Sequence, residues 1–195
     1  MRSIRYSLLT LIIAFVHMIS YGQKIDRFEI NTSKSLIRWA GKKIVGEETA
    51  GTIQLAGGFL GVKGKQLAEG EVVVDTKSIA SEKAPARLIS HLKNEDFFDV
   101  EKFPTASFVI TSVKVEDRQA HVTGKMTIKG ITHSLSFPAE VTYGKDVVVA
   151  KASEVKVDRT KFDIKYRSGS IFSGLGDNAI EDYFVLNIVL VAEKK

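Results

Sequence analysis

Apolar and polar residues alternate along most of the chain, in runs bounded by glycines and polar turns. Period-2 alternation with many β-branched residues predicts strands, here about nine. The first lies near Phe28 and Ile30, and the others span residues 35–45, 51–60, 70–79, 108–115, 120–129, 131–143, 147–157 and 183–192. Lys129-Gly130, between two of these runs, predicts a tight hairpin turn. The pattern is that of an all-β domain.

One segment departs from the strand period. From Ala84 to about Lys93, Leu88 and Leu92 are four residues apart, and Pro85 stands near the start, where a helix tolerates proline. The spacing predicts one short helix within an otherwise antiparallel string of strands. Such an insertion suggests a lid or plug on a barrel.

The last predicted strand is apolar on both faces. Phe184, Leu186, Ile188 and Leu190 form one face, and valines dominate the other. A sandwich strand with one solvated face would alternate more cleanly. Two apolar faces favour an antiparallel barrel of about eight strands, which leaves room for one small ligand.

Residues 91–108 concentrate aromatic side chains in a charged setting. Phe97, Phe98, Phe103 and Pro104 stand among acidic and basic residues, just before an alternating run in which Phe108, Ile110 and Ser112 share one face. A loop that is fully exposed to solvent would not be expected to carry this much aromatic surface. It covers either an ordinary core or an apolar ligand, and the pattern alone leaves both readings open.

The N-terminus resembles an export signal. Arg2 and Arg5 precede an apolar run from Leu8 to Ile19, and Ser20-Tyr21-Gly22 provides a cleavage site before Gln23. The run has about 12 residues, fewer than the 18 or so that a membrane-spanning helix needs. We therefore predict a cleaved signal, residues 1–22, a single domain, residues 23–195, and a periplasmic or secreted location.

Composition narrows the classes of function. The sequence contains no cysteine, which excludes a cysteine-anchored lipoprotein and disulfides. The formal charge is +5, two units of it in the predicted signal, and the lysines are scattered rather than clustered. This distribution gives no argument for nucleic acid. A transient contact with acidic lipid head groups stays open.

Motifs for catalysis, metals and cofactors are missing from the sequence. It has no HExxH or CxxC spacing and no GxSxG elbow. Residues 169–174 spell GxxxxG, but Leu175 follows where a P-loop needs lysine. A hairpin at Gly130 would place His121 opposite roughly position 139 and His133 opposite roughly position 127, too far apart to share a metal. We expect no cofactor and no metal.

Two polar groups remain as candidates. His91 with Asp96 could form an acid/base pair, but no nucleophile stands nearby, so we favour a structural role in which His91 anchors the helix end and Asp96 and Asp99 bond turn amides. Arg159 leads a basic segment at a strand end, which could hold a phosphate or polar head group or could simply be solvated.

Four segments resemble the YceI-like family of bacterial secreted proteins. They follow the family's order and are residues 91–105 (HLKNEDFFDVEKFPT), 124–132 (GKMTIKGIT), 157–162 (VDRTKF) and 176–180 (GDNAI). One departure is that many members carry Arg-Asp where this chain has Leu88-Ile89. A head-group role of that pair cannot be transferred, and the helix here has a more apolar face.

The resemblance implies an extended lipocalin-like barrel with a helix near its mouth. It also implies an apolar lumen for a polyisoprenoid, such as an isoprenoid quinone or prenyl phosphate, or for a fatty amide. We predict that the tail lies against Phe97, Phe98, Phe108, Ile110, Ile128, Phe137, Phe162, Phe184 and Leu186. Arg159 and His91 are the predicted head-group contacts.

We therefore predict a carrier protein without catalytic activity. Two alternatives are an interaction module for a membrane redox protein and a lipid-processing enzyme that uses His91 and Asp96. The oligomeric state is left open, a dimer included.

Overall fold

The computed structural model describes residues 24–46, 48–117 and 119–195. The predicted signal, residues 1–22, lies outside these described residues. Within these ranges, the chain forms nine strands and one α-helix. They are β1 (Ile25–Ile30), β2 (Leu36–Lys42), β3 (Glu48–Lys63), β4 (Gln66–Ala80), α1 (Ala86–Lys93), β5 (Thr105–Glu116), β6 (Gln119–Ile128), β7 (Ile131–Tyr143), β8 (Val147–Asp158) and β9 (Tyr183–Glu193).

The strands close into an antiparallel barrel of eight strand positions. Each strand from β3 to β9 pairs with the next, and β2 joins β9 to the first part of β3. β1 pairs with the last part of β3 and the end of β9, so β1 and β2 together fill one position. The predicted all-β, lipocalin-like barrel with about eight strands is confirmed. Because β3 pairs with β4, the sheet closes on itself and neither of these strands is left as a long unpaired edge.

The hairpin between β6 and β7 has the predicted two-residue turn. Lys129 and Gly130 have φ of 50° and 73°, and a type I′ turn requires positive values at both positions. The turn is centred between these residues rather than on Gly130. His121 therefore pairs with Pro138, and His133 with Met126, one position away from the predicted partners.

Bulges bend the long strands and shift which residues face inward. β5 has an irregularity between Ile110 and Ser112, so Val113, not the predicted Ser112, packs against the core. β8 has one between Ala152 and Val155, and both of these residues are buried. A bulge adds a residue to one strand, so alternation along the sequence cannot be extended through it.

Helix α1 begins two residues later than predicted, directly after Pro85. Leu88 and Leu92 share its inner side, and none of its residues is fully buried. Within the described residues, no helix combines the length and the hydropathy needed to cross a membrane.

The two ends of the barrel differ. The long connections, residues 81–104 and 159–182, and the β2–β3 loop all lie at one end, which we call the mouth. Short turns such as Gly64-Lys65 lie at the other end, the floor. Buried side chains fill the floor, among them Phe28, Val148 and Ala192. The barrel is therefore solid at one end and accessible at the other.

Candidate functional site

The interior above the floor is a cavity of about 520 Å³. Its wall comes from all strands β2 to β9, and helix α1 covers part of the mouth with Leu88 and Leu92. Most side chains in the wall are apolar. A volume of this size lies in the range of small-molecule sites.

Eight of the nine predicted lumen residues lie in the cavity wall. They are Phe97, Phe98, Phe108, Ile110, Ile128, Phe137, Phe184 and Leu186. Contact of these side chains with a ligand stays a prediction. The six that lie on strands are placed by the inward faces of β5, β6, β7 and β9, as expected for a barrel wall, and Phe97 and Phe98 belong to the connection before β5.

Phe162, which was also predicted to line the lumen, does not lie in the cavity wall. A 3₁₀ turn, Arg159–Phe162, ends β8 and carries the side chain away from the lumen. Phe162 is buried to 3% exposure and meets His133 edge to face, with ring centroids 5.4 Å apart. It is part of the packed core beside β7.

The aromatic segment before β5 contributes both to the cavity wall and to packed surface. Phe97 is buried and Phe98 half-buried, and both line the cavity near its mouth. Phe98 meets Phe184 at a centroid distance of 6.2 Å. Phe103 instead covers the β6–β7 turn, where its ring lies against Gly130. Thr76 on β4 anchors the segment by donating to the carbonyl of Phe103 at 2.7 Å.

Small inward residues create much of the free space, and the sequence reading missed them. Ala106, Ala139, Ala150 and Ala152 all line the cavity. Opposite larger side chains, their short side chains leave room that a leucine would fill. The sequence did contain a signal for this free space, namely Ala150 and Ala152 at alternate positions of β8.

Trp39 is a second residue that the site prediction omitted. It is the single tryptophan of the chain and lies in the cavity wall on β2. Its indole Nε1 donates to the carbonyl of Thr52 at 3.1 Å. Gly51 permits this position, because a Cβ there would come within 2.6 Å of the indole ring.

Arg159 lies at the cavity wall, but its donors are already used. Its guanidinium donates to four main-chain carbonyls, those of Ile164, Tyr166, Ile180 and Glu181, at 2.7–3.0 Å. Its Nη2 also lies 3.7 Å from Oδ1 of Asp182. Burial lowers the pKa of Arg159, and the nearby Asp182 and Asp158 oppose that shift. The guanidinium stays charged. This geometry is that of a brace between β8 and the start of β9 and does not favour the predicted head-group role.

Asp182 completes this buried polar cluster. Its carboxylate accepts from the hydroxyls of Ser168 and Ser170, each at 2.5 Å. Partial burial raises the pKa of Asp182, but the two hydroxyl donors and Arg159 outweigh it, so the pKa lies below its usual value. The cluster fixes the connection that forms one side of the mouth.

His91 and Asp96 do form a pair. His91 Nε2 lies 2.8 Å from Asp96 Oδ2. The imidazole also packs edge to face on Phe97 and Tyr166, at centroid distances of 5.0 and 4.6 Å. Neither His91 nor Asp96 lines the cavity, so the predicted contact of His91 with a head group is not favoured. The pair anchors the end of α1, as the structural interpretation expected.

The turn amides after α1 use a different side chain from the one predicted. Asn94, rather than Asp96 or Asp99, accepts from the amide of Asp96 through its side-chain oxygen at 3.0 Å. Within residues 24–46, 48–117 and 119–195, no group of three or more His, Cys, Asp or Glu side chains is placed to hold a metal ion.

Apolar side chains continue from the cavity onto the outer rim. Val45 and Tyr183 line the cavity and are also 55% and 50% exposed. Ile44 beside Val45 is exposed and packs near Gly169, and Phe172 lies on the same connection. Lys42 Nζ and Glu181 Oε1 lie 3.3 Å apart at this rim. The mouth thus combines apolar and charged groups, whereas the lumen is apolar.

Known proteins resemble this chain in sequence. A UPF0312 protein of Pseudomonas putida is 40% identical over 78 residues, 39% of this chain and 41% of that protein. Protein YceI of Salmonella arizonae is 28% identical over 124 residues, 63% of this chain and 62% of that protein. The chain matches less than two thirds of the length of these relatives.

Solved structures share the fold. BcnA of Burkholderia cenocepacia superposes with a TM-score of 0.65 at 19% identity, over 84% of this chain and 99% of that one. A polyisoprenoid binding domain from Saccharophagus degradans superposes with a TM-score of 0.66 at 11% identity, over 88% and 100%. The model of the YceI-like domain matches residues 28–192. That range contains all eight strand positions of the barrel, and the chain belongs to the YceI-like family.

Proposed function

We propose that this protein binds a polyisoprenoid-type or other long-chain amphiphile in its barrel and carries or sequesters it without chemical conversion. The observation that carries the proposal is the apolar cavity of about 520 Å³ inside a closed barrel. Transfer of a hydrocarbon tail from water into such a space gains about 0.8 kcal/mol for each methylene buried. The isoprenoid class is supported by the polyisoprenoid binding domain that shares the fold.

The polar groups of the structure support a hydrocarbon occupant. Among the described residues, every buried side-chain nitrogen or oxygen has a hydrogen-bond partner. Thr76, buried at the cavity wall, donates to the Phe103 carbonyl, and Arg159 donates to four carbonyls. A polar ligand would find few unused partners inside, whereas a hydrocarbon needs none.

The location of the protein and its contact with membranes are parts of the same proposal. We propose a periplasmic or secreted protein, because the N-terminal pattern is that of an export signal. A transient membrane contact at the mouth is supported by the exposed Ile44, Val45 and Phe172, which would enter the apolar part of a lipid surface. The tail could then move between bilayer and lumen with little exposure to water.

The hydrogen bond between His91 and Asp96 is the observation that favours a lipid-processing enzyme as a second candidate. In that case the head group would react outside the lumen, beside the end of α1. His91→Ala would abolish turnover while leaving tail binding intact. Turnover of a bound prenyl lipid by the wild type would favour the enzyme over the carrier.

A fluorescence titration tests the carrier proposal. Trp39 is the single tryptophan and lies in the cavity wall, so its emission should change when farnesol or a short isoprenoid quinone enters. Ala152→Phe fills the lumen and should lower the affinity at least tenfold. Ala50→Phe, on an exposed position of β3, is the matched control and should bind as the wild type does. Equal binding by both variants would place the ligand elsewhere and refute the proposal.

A further inference from the structure

Strands β7 and β8 are joined over only part of their length. They pair at four positions near the floor, and this ladder ends at Glu140 and Lys151. Residues 131–139 of β7 and 152–158 of β8 continue toward the mouth without pairing with each other, although each strand also pairs with its other neighbour. The barrel wall therefore contains a seam between these two unpaired stretches, and the seam opens onto the mouth, where β7 begins and β8 ends.

Both strands contain a local cause for this separation. Pro138 lies just beyond the last pair of β7 and has no amide hydrogen, so it cannot donate to a neighbouring strand. On β8, the irregularity between Ala152 and Val155 begins at the same level. Within it, Glu154 has a φ of 53° and donates its amide to the side-chain oxygen of Asn187 on β9, at 3.1 Å. The sequence therefore ends the ladder from both sides.

Residues 159–164, which we call the sealing segment, close the seam in place of a strand. The 3₁₀ turn in this segment approaches β7 to within 8 Å between Cα atoms. Phe162 and Ile164 are buried, and Ile164 lines the cavity. Lys161 and Asp163, which alternate with them, are exposed. A single segment of chain therefore separates the lumen from solvent along the seam.

The sealing segment is attached differently on its two sides. On the side of β8 and β9, the amide of Arg159 donates to the carbonyl of Asp182 at 2.8 Å, and the guanidinium of Arg159 donates to the carbonyl of Ile164 at 2.7 Å. On the side of β7, the rings of Phe162 and His133 meet edge to face. Among the described residues, no backbone hydrogen bond joins the sealing segment to β7. A boundary held by side-chain contacts alone opens more readily than a strand ladder.

We propose that the boundary between β7 and the sealing segment is a lateral slot, through which a hydrocarbon tail enters and leaves the lumen sideways. The slot is continuous with the mouth, so a tail passes through the wall along its length rather than end first past α1. The inner side of the slot is apolar, with Phe137, Val155 and Ile164 in the cavity wall. This inference rests on the proposed carrier function, and it concerns the route of the tail rather than the affinity for it.

Cross-linking across the seam tests the slot, and a sequence without cysteine is suited to it. His133→Cys combined with Lys161→Cys places one thiol at an exposed position on each side of the seam, and a short bismaleimide joins the two. The fluorescence of Trp39 after rapid mixing with farnesol gives the rates of loading and release. We expect bridging to slow both rates about tenfold and to leave the affinity unchanged, because a route limits entry and exit alike.

Thr123→Cys combined with Ser136→Cys, bridged in the same way, is the matched control. These residues pair on β6 and β7 outside the cavity wall, with hydroxyl oxygens 2.8 Å apart, so the bridge spans an existing ladder and should change neither rate. Unchanged rates in the bridged seam variant, or equal slowing in the control, would overturn the slot and leave the carrier function standing. If the wild type binds no farnesol, the carrier function is refuted, and the slot with it.

A single substitution tests the slot without a cross-link, should the seam variant fail to fold or react. His133→Ala removes the ring contact with Phe162 and should speed loading about threefold at unchanged affinity. Ser134→Ala, at the next and equally exposed position of β7, is its control and should load as the wild type does. A folded His133→Ala protein that loads at the rate of the wild type would contradict the slot.

Discussion

At the scale of the residue, Arg159 is the clearest case of a polar side chain that braces the fold. A buried guanidinium costs free energy unless its donors are satisfied, and here four carbonyls and Asp182 surround it. The same side chain looked from the sequence like a head-group ligand, because sequence does not show where a side chain's hydrogen bonds go. The hydrogen-bond partners seen in the structure distinguish a side chain that braces the fold from one that binds a head group.

Replacement of Arg159 should lower the stability of the fold rather than the affinity for lipid. Arg159→Met leaves Asp182 and several carbonyls without their partner, and we expect the free energy of unfolding to fall by about 3 kcal/mol. Urea denaturation measures this change. Arg167→Met removes an exposed arginine of the same connection and should change stability by less than about 0.5 kcal/mol. A stable Arg159→Met protein with lost lipid affinity would instead support the head-group role.

Asp182 should make stability depend on acid pH. Its pKa in the folded protein lies below its value in the unfolded chain, so folding gains from its ionisation. This contribution is complete above the unfolded pKa of about 3.9 and disappears as the pH falls through the lower folded pKa. Unfolding curves between pH 6 and pH 2 should show a shallower loss of stability for Asp182→Asn than for the wild type. Parallel curves would show that Asp182 does not contribute.

At the scale of the element, helix α1 is only loosely attached to the barrel. None of its residues is fully buried, and Pro85 provides no side-chain cap. Segments with few buried contacts open most readily. Since Leu88 and Leu92 face the lumen, the helix is suited to move when a tail enters.

We predict that α1 acts as a gate to the lumen, and hydrogen exchange tests this prediction. Amides of residues 86–93 should exchange faster than those of β8 and should slow when farnesol is bound, because the tail adds contacts to the helix. Leu88→Ala should weaken binding about tenfold and change stability by less than roughly 1 kcal/mol. Ser90→Ala, on the exposed side, is the matched control. Unaltered exchange in α1 on binding would contradict the gating role.

The strands and the helix could be predicted from the sequence, because alternation and helical spacing are local signals. The Lys129-Gly130 turn is local in the same sense. The bulges in β5 and β8 were not predictable, since a bulge is set by pairing with a neighbouring strand. That is why Ser112 was assigned to the wrong face, whereas the unbroken β9 gave its inward face correctly.

At the scale of the whole molecule, the barrel is a container with a packed floor and an open mouth. The two apolar faces of β9 predicted an apolar interior, either packed or able to hold a ligand. The volume of that interior, however, depends on which side chains meet across it. Ala139, Ala150 and Ala152 leave space where larger residues would have made an ordinary core. The distinction between core and cavity needed the three-dimensional arrangement.

The measurement that tests the central claim most directly is native mass spectrometry, followed by organic extraction, of the mature protein purified from its own host. We predict one mass increment per chain, which extracts as a prenyl or fatty amphiphile. A clean mass of the protein alone, together with no binding when isoprenoid quinones or prenyl phosphates are added, would contradict the account.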